Sequence, residues 1–65
     1  MRIILNGKER ETDSKTLLEL FKELSLKREY CAVEVDGVIF KKTDSADIPL
    51  KEGGRIEIVR FVGGG

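Results

Sequence analysis

Apolar and polar positions along this chain of 65 residues follow two different periods, which predict where strands and a helix lie. Short runs that alternate with a period of two, bounded by turn residues, are typical of strands. The sequence predicts strands over residues 2–5, 8–12, 31–35, 38–41 and 55–61. The first and second runs are separated by Asn6-Gly7, and the third and fourth by Asp36-Gly37. Both dipeptides favour two-residue hairpin turns. We therefore expect two hairpins and one long final strand, while Pro49 marks an irregular segment before that strand.

A helical period replaces the strand period between the two hairpins. Its apolar positions have the spacing i, i+3, i+4 and i+7 and are Leu17, Leu20, Phe21 and Leu24. Thr16 and Glu19 have the spacing of a capping box, in which each side chain accepts a hydrogen bond from a free backbone N–H. The helix is expected to begin at Thr16 and to end near Leu24-Ser25, with residues 26–30 as a connector and a further helical turn near 44–47.

The order of strand, strand, helix, strand, strand, strand predicts an α+β fold. One helix can cover only one face of a mixed sheet of four to five strands, with the first and last strands as central neighbours. The β-grasp fold has this arrangement. We expect a β-grasp domain over residues 1–61, followed by a flexible C-terminal glycine tail over residues 62–65.

Alternation along the first and last strands predicts which sheet face is free. If the helix covers the side that carries Ile3, Leu5, Ile56 and Ile58, the opposite side carries Ile4, Val59 and Phe61. Exposed apolar patches often mark protein–protein sites. We therefore predict partner docking on a patch that leads into the tail and consists of Ile4, Val59, Phe61 and Val62. The alternative is that these residues pack under the 42–50 loop, and a slip of one residue in register would reverse the faces.

The composition of the chain disfavours several classes of function. Twelve basic residues balance twelve acidic ones, which disfavours nucleic acid as a partner. The chain has no long apolar run and one cysteine, so a cytoplasmic location without membrane association is expected. There is no histidine, no cluster typical of a metal site and no phosphate-binding loop. Cys31 falls on the core face of its strand, which favours a buried, inert thiol over a nucleophile or persulfide carrier.

The reactive group that remains is the carboxylate after Gly63-Gly64-Gly65. Glycine has no Cβ, so a tail from Val62 to Gly65 could carry this carboxylate about 13 Å into a narrow channel. The carboxylate is ionised at neutral pH and needs activation before a nucleophile can attack it. The chain is thus expected to be a carrier or substrate and not an enzyme. Terminal fraying or an expression scar are the alternatives.

The sequence also resembles the ThiS family of sulfur carriers, within the ubiquitin-like β-grasp group. The resemblance covers nearly the whole chain, and its most specific part is the last strand with the turn before it and the glycines after it. The usual family turn has Asp or a similar polar residue where Gly54 stands. The segments that carry the resemblance are Ile3-x-Leu5-Asn6-Gly7, Thr16-Leu17-Leu18-Glu19-Leu20, Val33-x-Val35-Asp36-Gly37-x-Ile39, 49–59 and 61–65.

The resemblance implies a sulfur carrier of thiamine (thiazole) biosynthesis with Gly64-Gly65 as its terminal pair. A ThiF-like, E1-like enzyme would use ATP to adenylate the carboxylate of Gly65. A cysteine desulfurase or another sulfur donor would then supply the sulfur of a thiocarboxylate, which a ThiG-like thiazole synthase would use. The resemblance implies no cofactor bound to the chain itself.

Three other functions fit the same sequence. The small subunit of molybdopterin synthase, similar to MoaD, uses the same tail chemistry. A ubiquitin-like modifier would join its terminal glycine to a lysine of a target protein. A non-covalent β-grasp interaction module would be unaffected by deletion of Gly64-Gly65.

Overall fold

The computed structural model describes residues 1–40 and 47–61, which form a five-stranded sheet and one α-helix. The strands are β1 (Arg2–Leu5), β2 (Lys8–Glu11), β3 (Cys31–Val35), β4 (Val38–Phe40) and β5 (Arg55–Arg60), and the helix α1 spans Leu17–Glu23. The strand order is β2-β1-β5-β3-β4, with β1 parallel to β5 and the other neighbours antiparallel. The predicted mixed sheet, with the first and last strands adjacent inside it, is confirmed.

Both predicted hairpin turns are present, and each is bonded to β5. Asn6 and Asp36 have φ values of 51° and 49°, and the glycine after each also has a positive φ, as a type I′ turn requires. The side-chain Oδ1 of Asn6 accepts a 2.8 Å hydrogen bond from the N–H of Ile58. The Oδ1 of Asp36 accepts a 2.9 Å bond from the N–H of Arg55. The turn residues therefore also hold the central strand in register.

One of the two capping hydrogen bonds predicted at the start of α1 is present, and the other has a different donor. The hydroxyl of Thr16 accepts a 3.3 Å hydrogen bond from the N–H of Glu19. The carboxylate of Glu19 accepts a 2.7 Å bond from the N–H of Lys15, one residue before the position that a capping box predicts. The helix ends at Glu23 with Leu24 as its C-cap, followed by Ser25 with φ 58°, close to the predicted end.

The core lies between α1 and one face of the sheet. The inward positions predicted for β1 and β5 are confirmed, because Ile3, Ile56 and Ile58 are buried and Leu5 packs at the margin. Side chains of this kind stabilise a fold by about 1.5–3 kcal/mol each when fully buried. The buried apolar cluster consists of Ile3, Leu17, Leu20, Phe21, Cys31, Val33, Leu50, Ile56 and Ile58.

Several predicted boundaries need correction. β2 ends at Glu11 and not at Thr12, and β5 ends at Arg60 and not at Phe61. The connector after α1 contains a 3₁₀ turn over Arg28–Tyr30. The last predicted residue of β4, and most of the helical turn predicted near 44–47, lie outside the described residues.

A polar cluster joins β2 and the segment after it to the end of α1. The carboxylate of Glu23 accepts hydrogen bonds from the hydroxyls of Thr12 (2.5 Å) and Ser14 (2.8 Å) and from the guanidinium of Arg10 (2.8 Å). Thr12 and Ser14 are buried, while the Glu23 side chain is 29% exposed. The bonds from Thr12, Arg10 and Ser14, in that order of importance, lower the pKa of Glu23 to about 2.

Candidate functional site

The last described residue of the chain leaves the sheet from its central region. β5 lies between the parallel β1 and the antiparallel β3 and ends at Arg60. The N–H of Phe61 then donates a 2.8 Å hydrogen bond to the carbonyl oxygen of Tyr30. Pairing with β3, which extends to Arg60, and this bond therefore fix the point from which the chain continues. Val62 and the predicted tail residues Gly63, Gly64 and Gly65 lie outside the described residues.

Basic side chains line the surface where β5 ends. A shallow recess there includes Lys27 and Arg60, together with the aromatic ring of Tyr30. Cys31 forms the inner wall of this recess and is only 1% exposed. Burial raises the pKa of the Cys31 thiol, so it stays protonated and is a poor nucleophile. The predicted burial of this free cysteine is confirmed.

The described residues of the predicted docking patch, Ile4, Val59 and Phe61, share one sheet face but do not form one patch. Val59 and Phe61 are 61% and 58% exposed on the face opposite α1. Ile4 lies on the same face, yet it is half-buried and its partner on β5 is Arg55. Arg55 and Val59 are four residues apart along a strand, which corresponds to about 13 Å. The expected contiguity of Ile4 with Val59 is therefore wrong, while the docking role of these residues stays a prediction.

A further exposed apolar residue, which alternation along the first and last strands did not assign to this face, lies across β3 from β5. Ile39 on β4 is 71% exposed and pairs with Glu34, which in turn pairs with Glu57 on β5. Counting back from the Asp36-Gly37 turn could have found this neighbour, because a two-residue turn fixes the pairing of β3 with β4. We name the depression in this region the outer recess, and it is lined by Ala32, Val33, Glu34, Ile39, Glu57 and Val59.

Within residues 1–40 and 47–61, no three His, Cys, Asp or Glu side chains come together as a potential metal site. None of the helices in these ranges is both long and apolar enough to cross a lipid bilayer.

Comparisons of the sequence with known proteins find one matching family and relatives of known name. The family model described as ThiS family matches residues 3–65. The sulfur carrier protein ThiS of Thermus thermophilus is 33% identical over 61 residues, which cover 94% of this chain and 95% of that protein. A thiazole synthase of Paramagnetospirillum magneticum is 36% identical over 66 residues. That match covers 100% of this chain but only 20% of the length of the thiazole synthase.

Solved structures agree with these sequence comparisons. The crystal structure of the thiamine biosynthesis protein ThiS from Geobacter metallireducens has a TM-score of 0.70 and 31% identity, and all of both chains is covered. The solution structure of a thiamine biosynthesis protein from the same organism has a TM-score of 0.74 and 30% identity. The match covers all of this chain and 88% of the length of the chain in that structure.

The family match includes the C-terminal glycines, which neither strand nor helix periodicity predicts. Residues 63–65 fall within the family match, and so do both hairpin turns and the whole of β5. The predicted resemblance and the ubiquitin-like β-grasp fold are confirmed by the family match and by the solved neighbours. This chain belongs to the ThiS family.

Proposed function

We propose that this protein is a sulfur carrier of thiamine biosynthesis and that Gly65 carries the sulfur as a terminal thiocarboxylate. The observation that supports this most directly is the family match, which extends through the glycines to Gly65. The relative of similar length that matches 94% of this chain is itself named a sulfur carrier protein. The protein acts in this proposal as a co-substrate, and its partner enzymes supply the catalytic groups.

The proposed chemistry takes place in two steps at the carboxylate of Gly65. One carboxylate oxygen attacks the α-phosphorus of ATP, which releases pyrophosphate and forms an acyl adenylate. A sulfur nucleophile then attacks the carbonyl carbon, and AMP leaves with the oxygen. Hydrogen sulfide would give the thiocarboxylate directly, whereas the persulfide of a desulfurase would give an acyl persulfide, from which a thiol of the partner releases the thiocarboxylate as a disulfide forms. Activation is needed because an ionised carboxylate is a poor electrophile. ATP and the sulfur donor are bound by the partners in this scheme, and the carrier holds no cofactor.

The geometry at the end of β5 suits delivery of a tail to a partner. β5 is bonded on both sides, and the bond from Phe61 to the carbonyl of Tyr30 fixes the residue that precedes the tail. The four residues 62–65 can extend about 13 Å from that point. A partner that contacts the exposed side chains of Val59 and Phe61 would have the tail beside its active site. The participation of Val62, and of the more distant Ile4, in docking stays a prediction.

Three partners belong to this proposal. They are a ThiF-like activating enzyme that uses ATP, a cysteine desulfurase or another sulfur donor, and a ThiG-like thiazole synthase that receives the sulfur. The thiazole synthase has independent support, because one relative with that name contains a stretch 36% identical to this chain within its own sequence. The cytoplasmic location and the division into a domain over 1–61 and a tail over 62–65 remain predictions.

Intact mass spectrometry tests the proposal directly. The protein is incubated with ATP, a ThiF-like enzyme and a sulfur donor, and its mass is compared before and after. We expect a gain equal to the replacement of one oxygen by one sulfur. Deletion of Gly65 should abolish the gain and leave the thermal melting temperature unchanged, because the core ends at β5.

Two results would count against a sulfur carrier. One is no mass gain with an enzyme that loads another carrier under the same conditions. The other is a gain that survives deletion of Gly65, which would place the sulfur elsewhere. Covalent adducts to lysine would instead favour the ubiquitin-like modifier.

A further inference from the structure

The outer recess combines exposed apolar side chains with two carboxylates. Its apolar rim is formed by Ile39 and Val59, which are 71% and 61% exposed, and Ala32 lies between their strands. Glu34 and Glu57 face each other across β3 and β5, so their Cα atoms are on the order of 5 Å apart. The recess therefore presents negative charge directly beside an uncovered apolar surface.

The pairing of Glu34 with Glu57 is unfavourable in the free protein. Like charges directly opposite each other in a sheet are destabilising. In the described ranges, neither carboxylate takes part in a hydrogen bond or an ion pair with another described residue. The other two glutamates on this face differ, because Glu9 and Glu11 lie 3.8 Å and 3.5 Å from the guanidinium of Arg2. Among the described residues, this sheet face thus pairs its acidic groups at the β2 edge with Arg2 and offers no such partner to Glu34 and Glu57.

This arrangement fits one kind of side chain in particular. Arginine has an apolar stem that can lie on Ile39 and Val59, and its planar guanidinium donates several hydrogen bonds in a fixed fork. The fork can reach both Glu34 and Glu57, and bonds between a guanidinium and carboxylates are stronger than neutral ones. The bound arginine would also remove the repulsion between the two glutamates.

We propose that the outer recess is the docking site for an arginine of a thiazole synthase, an assignment that rests on the proposed sulfur-carrier function. The thiazole synthase is favoured as the occupant because a relative of this chain forms part of such an enzyme, which keeps the two surfaces together in one polypeptide. Glu57 precedes Gly65 by eight residues, which span about 28 Å when extended. The guanidinium bound by Glu57 must therefore lie within about 28 Å of the point where the sulfur is transferred.

The double variant Glu34→Gln/Glu57→Gln tests this site. It keeps the size of both side chains and removes both charges. Affinity is measured by isothermal titration calorimetry with a purified thiazole synthase whose own chain has no carrier-like stretch. We expect binding about 30-fold weaker than that of the unaltered protein, the loss typical of removing the charges from a desolvated interfacial ion pair. The isolated double variant should melt about 2–4 °C higher, because the repulsion is gone.

The matched control is Glu9→Gln/Glu11→Gln, which removes two charges from the same sheet face at the β2 edge. Its affinity should stay within about twofold of the unaltered protein. Equal affinity of the Glu34/Glu57 variant and the unaltered protein overturns the assignment, and so does an equal loss in the control. If the unaltered protein does not bind thiazole synthase at all, the assignment also fails. The mass gain at Gly65 then decides separately whether the sulfur-carrier function stands.

Discussion

Replacement of Glu23 by Gln should destabilise the fold in a manner that depends on pH. The change removes the negative charge that accepts hydrogen bonds from Arg10, Thr12 and Ser14. Thr12 and Ser14 are buried, so their hydroxyls would be left with a weaker acceptor. The cluster connects β2 with the end of α1, and its loss should reduce the stability of the whole domain.

The magnitude follows from the pKa of Glu23, which these bonds lower from 4.5 to about 2. Each pKa unit corresponds to about 1.36 kcal/mol, so the upper limit is about 3.4 kcal/mol. The side chain is 29% exposed, and solvent screening reduces the expected contribution to about 2 kcal/mol. In a domain of this size, that loss corresponds to a melting temperature about 8–16 °C lower at neutral pH.

The sign of the pH dependence follows from the lowered pKa. A carboxyl group with a lower pKa in the folded state stabilises the fold above its unfolded pKa of 4.5. The stabilisation is lost as the pH falls through the folded value of about 2. The difference in stability between the unaltered protein and Glu23→Gln should therefore be constant above pH 4.5 and should shrink between pH 4.5 and about 2.

Urea denaturation followed by circular dichroism, repeated across this pH range, measures that difference. Glu29→Gln is a suitable control, because Glu29 is an exposed glutamate. The control should change stability by less than about 0.5 kcal/mol at every pH. Equal stability of Glu23→Gln and the control at neutral pH would contradict a stabilising role of the Glu23 carboxylate. A difference in stability between Glu23→Gln and the unaltered protein that persists at pH 2 would contradict it as well.

Two further predictions concern the turns that hold β5. An alanine at Gly54 would place its Cβ 3.0 Å from the carbonyl oxygen of Lys51. Gly54→Ala should therefore lower the free energy of unfolding by about 1–2 kcal/mol. An unchanged melting temperature would contradict this steric effect. Asn6→Gly removes the acceptor for the N–H of Ile58 and should cost about 1 kcal/mol in a denaturation experiment. Asn6→Ala should cost about 1 kcal/mol more because φ is 51°, and equal losses for both variants would argue against this backbone effect.

Local sequence patterns were sufficient for most of the individual elements. The spacing of Leu17, Leu20 and Phe21 predicted α1, because these side chains form one stripe on a helix of 3.6 residues per turn. Asn6-Gly7 and Asp36-Gly37 predicted both hairpins, since few other dipeptides adopt two positive φ values without strain. The fold class then followed from the order of the elements, and the resemblance to the ThiS family followed mainly from the last strand, the turn before it and the glycines after it.

The candidate site was predicted only in part. Alternation along β5 correctly placed Val59 and Phe61 on the exposed face, because successive side chains of a strand point to opposite sides. Alternation gives no distance between strands, so it grouped Ile4 with them although Ile4 pairs with Arg55. The Asp36-Gly37 turn could predict that Ile39 pairs with Glu34, but only the pairing of β3 with β5 brings that pair next to Glu57.

Patterns among residues a few positions apart were enough to predict the helix, the strands and the turns, and the motifs indicated the family. Which charged groups meet depends on the fold as a whole. Glu23 is eleven positions from Thr12 and bonds to it, and Glu57 lies opposite Glu34 although 23 positions separate them in the sequence. Such contacts depend on strand order and register, which are set by burial of the core as a whole.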